Sequence, residues 1–103
     1  MIEIRQAETY KKWFETLKDR NARMRVNIRV RRLSLGNLGD VKPVGGGVSE
    51  VRIDYGPGYR VYFVQKQKRI ILLLLGGDKS TQSKDIQKAQ ELAVRIGELY
   101  AFH

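Results

Sequence analysis

Tyr10, Trp13, Phe14 and Leu17 fall at i, i+3, i+4 and i+7, which predicts a helix with one buried stripe. Thr9 or Glu8 is placed to cap it. Ahead of that helix, Ile2 and Ile4 alternate with Glu3 and Arg5, the pattern of a short strand or an extended lead-in. Residues 20–39 admit two readings. Positions 24–31 alternate like a strand, with Val26, Ile28 and Val30 on one side. As a helix, Ala22, Val26, Val30 and Leu33 share a face, while Met24, Ile28 and Leu35 lie opposite. Gly36 and Gly39 supply helix-stop chemistry and favour the helix.

Residues 36–47, with Pro43 and the glycines 45–47, read as a loop. A strand follows over 48–55, where Val51 and Ile53 alternate with Glu50, Arg52 and Asp54. Gly56-Pro57-Gly58 turns the chain, and 59–65 returns, with Val61 and Phe63 on one face and Tyr62 and Val64 on the other. A second turn falls at Gln67 and Lys68. The apolar run that starts beyond Arg69 suits a strand at the sheet centre, covered on both faces. After Gly76-Gly77-Asp78-Lys79, a helix capped near Ser80 or Thr81 would bury Ile86, Ala89, Ala93, Ile96 and Tyr100, with Leu92 and Leu99 at its margin. The predicted architecture is α+β: an N-terminal helical hairpin, a three-stranded antiparallel meander and a C-terminal helix, with one layer of helix on the sheet.

Charge changes this picture more than size does. The 103 residues suffice for one domain, but 20 Lys+Arg against 11 Asp+Glu give a net charge of +9. Such a field favours polyanionic partners: nucleic acid, ribosome, anionic membrane or an acidic protein. Six arginines (20, 23, 25, 29, 31 and 32) fall between residues 20 and 39 without a single acid. They suit either a phosphate grip or a solvated helical face. The chain has no cysteine, and its single histidine is His103, which rules out disulfides and a Cys/His zinc site. The N-terminus does not read as a signal peptide, and the longest apolar run, 70–75, is far below the roughly 20 residues that span a bilayer. A cytoplasmic protein is expected, with no membrane partner.

Three cations converge if the predicted topology holds. Arg52 lies mid-strand, Arg60 begins the neighbouring strand, and Lys79 follows the third. Arginine forks fit phosphate oxygens, and lysine adds a point charge, so the group suits an RNA backbone under attack by a 2′-hydroxyl. A surface ladder of Glu50, Arg52 and Asp54 is the other reading of the same residues. Gly77-Asp78-Lys79-Ser80 resembles the end of a P-loop, but Asp78 separates glycine from lysine and the upstream glycine is absent, so nucleotide hydrolysis is rejected. A lone terminal histidine excludes Ser-His-Asp and Cys-His catalysis.

The segment 47–63, containing Gly56-Pro57-Gly58-Tyr59-Arg60-Val61-Tyr62-Phe63, resembles RelE/HigB-type toxins of the RelE/ParE superfamily, closest to the addiction module killer branch. The resemblance continues through Gly76-Gly77-Asp78-Lys79-Ser80-Thr81-Gln82 and, upstream, through 31–43, and so covers nearly the whole chain. It implies a RelE-like fold with a helical hairpin at residues 20–35. It also implies a metal-independent, cofactor-free endoribonuclease that enters the ribosome and cuts messenger RNA. The resemblance places Arg52, Arg60 and Lys79 in catalysis. Arg25, Arg29, Arg32 and Lys42 would then dock on ribosomal RNA, a salt-sensitive contact. Tyr59, Tyr62 or His103 would handle protons, although none matches the family pattern. The implied partners are the ribosome, messenger RNA and a cognate helix-turn-helix antitoxin, with operator DNA reached only through that antitoxin. Rival functions are a ParE-like gyrase poison on the same fold, a non-catalytic RNA- or ribosome-binding module, and an inactive toxin.

Overall fold

A computed structural model describes residues 1–100, with Glu98, Leu99 and Tyr100 by backbone alone. His103 and the side chains of Leu99 and Tyr100 therefore lie outside the described residues. The chain runs β1 (Glu3–Gln6), α1 (Glu8–Thr16), α2 (Arg20–Ser34), β2 (Val41–Gly45), β3 (Val48–Ile53), β4 (Tyr59–Lys66), β5 (Ile70–Gly77), a 3₁₀ turn (Lys79–Thr81) and α3 (Gln82–Tyr100).

The ambiguous arginine-rich segment is helical, and its two ends show why. Asp19 caps the first turn, its carboxylate accepting the Asn21 N–H at 2.8 Å. At the other end Gly36 takes φ +82°, while the amides of Gly36 and Asn37 donate to the carbonyls of Leu33 and Arg32. That pair of bonds is a Schellman stop. Ala22, Val26 and Leu33 are buried, whereas Met24, Ile28 and Leu35 remain exposed. In α1 the predicted caps are not used. The N-cap is Ala7 without a side-chain bond, and the Thr9 hydroxyl instead donates to the Leu74 carbonyl, tying the helix to β5.

Two expectations about the sheet need correction. The sheet has five strands in the order β1-β5-β4-β3-β2, not three, and it is mixed, because β1 pairs in parallel with β5. The predicted loop 36–47 contains β2, whose Pro43 is tolerated because the strand lies at the edge. The helices also occupy both faces. Tyr10 of α1, Leu17 at its C-cap, and Val26 and Leu33 of α2 pack against Val51, Ile53, Val61, Phe63, Ile71 and Leu73. On the other side Val48, Tyr62, Val64, Leu74 and Leu75 pack against Ala89, with Ile86, Leu92, Ala93 and Ile96 of α3 around them. Layers of helix, sheet and helix replace the single helical layer expected.

A bulge in β5 sets this arrangement. Tyr62 pairs with Leu75 but Phe63 with Leu73, so Leu74 is an extra residue on β5. The side-chain phase flips there, and Leu74 and Leu75 both serve the α3 side. Beyond the bulge, Gly76 and Gly77 meet opposite layers at close range. A Cβ on Gly76 would run into the Trp13 ring, and one on Gly77 into the Asp85 carboxylate.

Candidate functional site

Gly56-Pro57-Gly58 joins β3 to β4, with φ of +56° and +79° at its two glycines, a conformation that glycine adopts without steric cost. The turn fixes the register so that Ile53 pairs with Tyr59 and Arg52 stands directly across from Arg60. Opposed residues on one sheet face have Cβ atoms roughly 4.5–5.5 Å apart, where like charges destabilise the pairing. Compensation comes from Glu50, two positions before Arg52 on the same face.

Glu50 is fully buried. Its Oε1 lies 3.5 Å from Arg52 Nε and its Oε2 lies 3.7 Å from Arg60 Nε. Gln82, the first residue of α3, donates to Oε2 at 3.0 Å. The Arg60 guanidinium is 7% exposed at the residue level and is pinned on its other side, Nη1 donating to the Gly58 carbonyl at 2.7 Å. Among the described residues, the buried side-chain atoms without a hydrogen-bond partner are Glu50 Oε1, Arg52 Nε, Arg60 Nε and the Tyr62 hydroxyl. All four belong to this one cluster. Three of them face one another in the ion pairs just given, and such a concentration of buried polar atoms without hydrogen bonds is uncommon in native proteins.

Lys79 joins the same end of the sheet. Its amide donates to the Pro57 carbonyl at 3.4 Å, and Gly58 lies between its Cβ and Arg60 Nη1. The resemblance of 77–80 to a P-loop resolves into a cap, set one turn earlier than expected. Asp78 Oδ1 accepts from the Ser80 amide at 2.8 Å and from the Ser80 hydroxyl at 2.5 Å. Thr81 then donates to Asp85 at 2.6 Å, close to Gly77.

A cavity of about 270 Å³ opens beside the arginine pair, lined by Arg52, Arg60, Gly58, Tyr59, Asp40 and Asp54 among others. Of the three candidate proton carriers, Tyr59 lines it. Tyr62 does not: it is buried against α3, and burial first, then the Glu50 carboxylate, raises its phenol well above the ordinary range. It is held protonated, away from solvent. His103 lies outside the described residues. Among those residues, no group of three or more His, Asp or Glu is arranged to hold a metal.

The family model for phage-derived Gp49-like proteins (DUF891) matches residues 12–96, a span that contains the arginine–carboxylate cluster and Lys79. The chain belongs to that family. A Haemophilus influenzae protein described as uncharacterized is 46% identical over 96 residues, covering 93% of this chain and 97% of its own length. The solution structure of a conserved hypothetical protein from Helicobacter pylori superposes with a TM-score of 0.53 at 17% identity, covering 78% of this chain and 97% of that one. At that identity the likeness concerns the fold alone.

In this Gp49-like chain the cavity continues into a larger groove of about 600 Å³. Asp40, Arg52, Ile53 and Asp54 border both, and Arg25, Arg29 and Arg32 of α2 form the far wall. Lys42 is placed differently. It lies on the edge strand β2, its backbone in register with Glu50 of β3, and lines neither space. Sequence reasoning missed the buried role of Glu50, the grip of Gln82 upon it, and Asp40. The one signal for Glu50 was a carboxylate two positions from an arginine in a strand, which a surface pair displays equally well.

Proposed function

We propose that this Gp49-like protein is the toxin of a toxin–antitoxin pair and cuts messenger RNA on the ribosome. The observation that supports the reading best is the opposed pair Arg52 and Arg60, seated on buried Glu50 at a cavity wall with Lys79 alongside. The resemblance of 47–63 and 76–82 to RelE/HigB toxins points the same way, and so does the charge of +9.

In the proposed reaction the 2′-hydroxyl oxygen attacks the adjacent phosphorus and the bond to the 5′-oxygen breaks. The products are a 2′,3′-cyclic phosphate and a 5′-hydroxyl. Negative charge grows on the non-bridging oxygens, and guanidinium groups held in place before the reaction stabilise it without reorganisation. Glu50 accounts for the hold on both Nε atoms, leaving the outer nitrogens of Arg52, and Nη2 of Arg60, to meet a phosphate. Lys79 offsets charge on the departing 5′-oxygen. Asp40 and Asp54 stand on the cavity wall as acceptors for the 2′ proton, and Tyr59 as a donor. The ribosome supplies the in-line geometry of the strand. A helix-turn-helix antitoxin in the cytoplasm completes the proposed pair and carries it to operator DNA.

Primer extension on a defined messenger, with and without ribosomes, tests this. Wild-type protein is expected to leave cut ends only with ribosomes. Arg60→Lys keeps the charge opposite Glu50 but loses the fork, and its cleavage is expected to fall about 10²–10³-fold. Arg60→Ala is expected to lose cleavage too, but at a stability cost of about 3–5 kcal/mol, since it strips a partner from a buried carboxylate. No cut ends from folded wild-type protein on ribosomes would overturn the reading, and DNA damage without messenger loss would favour a gyrase poison.

A further inference from the structure

The groove between α2 and β3 has an unusual combination of walls. Part of its lining is apolar, from Met24, Ile28 and Ile53, with Met24 and Ile28 53% and 43% exposed. Its rim carries Arg25, Arg29, Arg32 and Arg52, set against Asp40 and Asp54. The volume of about 600 Å³ falls within the roughly 300–1,000 Å³ of small-molecule sites. Two of the rim arginines are fixed before any ligand arrives. Arg25 lies over the Tyr55 ring at 4.6 Å, and Tyr55 is itself held by a 2.6 Å bond to Asp19. Arg29 donates to the Leu38 carbonyl at 3.2 Å and lies against Gly39, where a Cβ would leave it no room. Burial, and then the neighbouring Arg32, push its guanidinium below the usual range.

Phosphate docking alone needs cations and no apolar lining. Unpaired bases need both: a positive track for the backbone and flat or apolar surface for the base faces. A duplex hides those faces and gains nothing from Met24 or Ile28. We infer that this groove is a single-strand subsite, holding an unstacked base next to the phosphate that lies against Arg52 and Arg60. The assignment rests on the proposed RNA cleavage, and it moves Arg25 and Arg29 from general docking on ribosomal RNA to the messenger strand itself. Continuity through Arg52 favours RNA over an acidic protein segment, which the same charges would also attract.

Fluorescence anisotropy with two labelled hexanucleotides of equal charge, one of uridines and one abasic, tests the subsite without ribosomes. Wild-type protein is expected to bind the uridine strand about tenfold or more tightly than the abasic strand. Met24→Ser with Ile28→Ser, both at exposed positions, is expected to remove that preference and leave abasic binding unchanged. Its melting curve confirms that the variant is folded. Equal binding of both strands by wild type, or an undiminished preference in the folded variant, overturns the subsite. So does a polyglutamate peptide that binds in this groove while the uridine strand gains nothing over the abasic one, a result that assigns the groove to a protein partner. Ribosomal cutting and base preference of the wild-type protein, measured side by side, separate the two levels. A preserved base preference without any ribosomal cutting by wild type removes the nuclease and keeps the groove, whereas cutting without base preference does the reverse.

Discussion

Glu50 holds two guanidinium groups together that would otherwise repel across the β3–β4 ladder. Glu50→Gln keeps an acceptor for Gln82 and removes the charge. Its stability is expected to drop by about 1–3 kcal/mol in urea denaturation, with part of the loss recovered at high salt, where the arginines repel less. An unchanged midpoint at low salt would show that the carboxylate does not compensate the pair. The opposition of Arg52 and Arg60 was legible in the sequence, because a short Gly-Pro-Gly turn between alternating strands leaves little freedom of register. The depth of Glu50 was not. A strand of Glu50, Arg52 and Asp54 reads identically whether its face meets water or a helix that begins 32 residues later. Tyr59 and Tyr62 show the same limit: adjacent in type and near in sequence, one lines the cavity and the other is sealed beneath α3.

Among the elements, the β4–β5 connection carries a correctable weakness. Gln67 and Lys68 adopt φ of 53° and 57°, and the Arg69 amide donates to the Lys66 carbonyl at 3.0 Å, a β-turn of the type I′ kind within the connection 67–69. Side chains with a Cβ resist that conformation. Replacing the pair by Asn-Gly is expected to raise stability by about 1 kcal/mol, read as a higher urea midpoint with an unchanged slope. Helix α2 could be read from Gly36 once its stop was weighed against the strand-like alternation. Strand β2 was hidden because Pro43 and three glycines look like loop, and an edge strand tolerates both. Gln90 of α3 secures it, donating to the Val44 carbonyl at 2.9 Å, a contact no local pattern announces. The parallel pairing of β1 with β5, Glu3 opposite Ile70, is equally silent in sequence.

Across the whole molecule, the sheet is sealed by a buried tyrosine on each face, Tyr10 on the side of α1 and Tyr62 on the side of α3. Burial pushes the Tyr10 phenol up to about 12, and Tyr62 is raised as well. The folded state thus favours both neutral phenols. Their stabilisation is complete below the unfolded value near 10 and is lost as pH climbs past it. For Tyr10 the loss reaches about 2–3 kcal/mol by pH 12. Thermal midpoints are expected to fall steeply above pH 10, and Tyr10→Phe to flatten part of that fall; an identical alkaline slope in the variant would remove Tyr10 from the account. The unbroken apolar run 70–75 already asked for cover on both faces. Which helix covers which face depended on Leu74, the extra residue that no periodicity marks. The strand carrying that bulge also governs the order of assembly during translation. Strand β1 waits for β5 and Glu50 waits for Gln82, so a nascent chain that ends before β5 lacks the complete sheet, and one that ends before Gln82 lacks the completed arginine–carboxylate cluster.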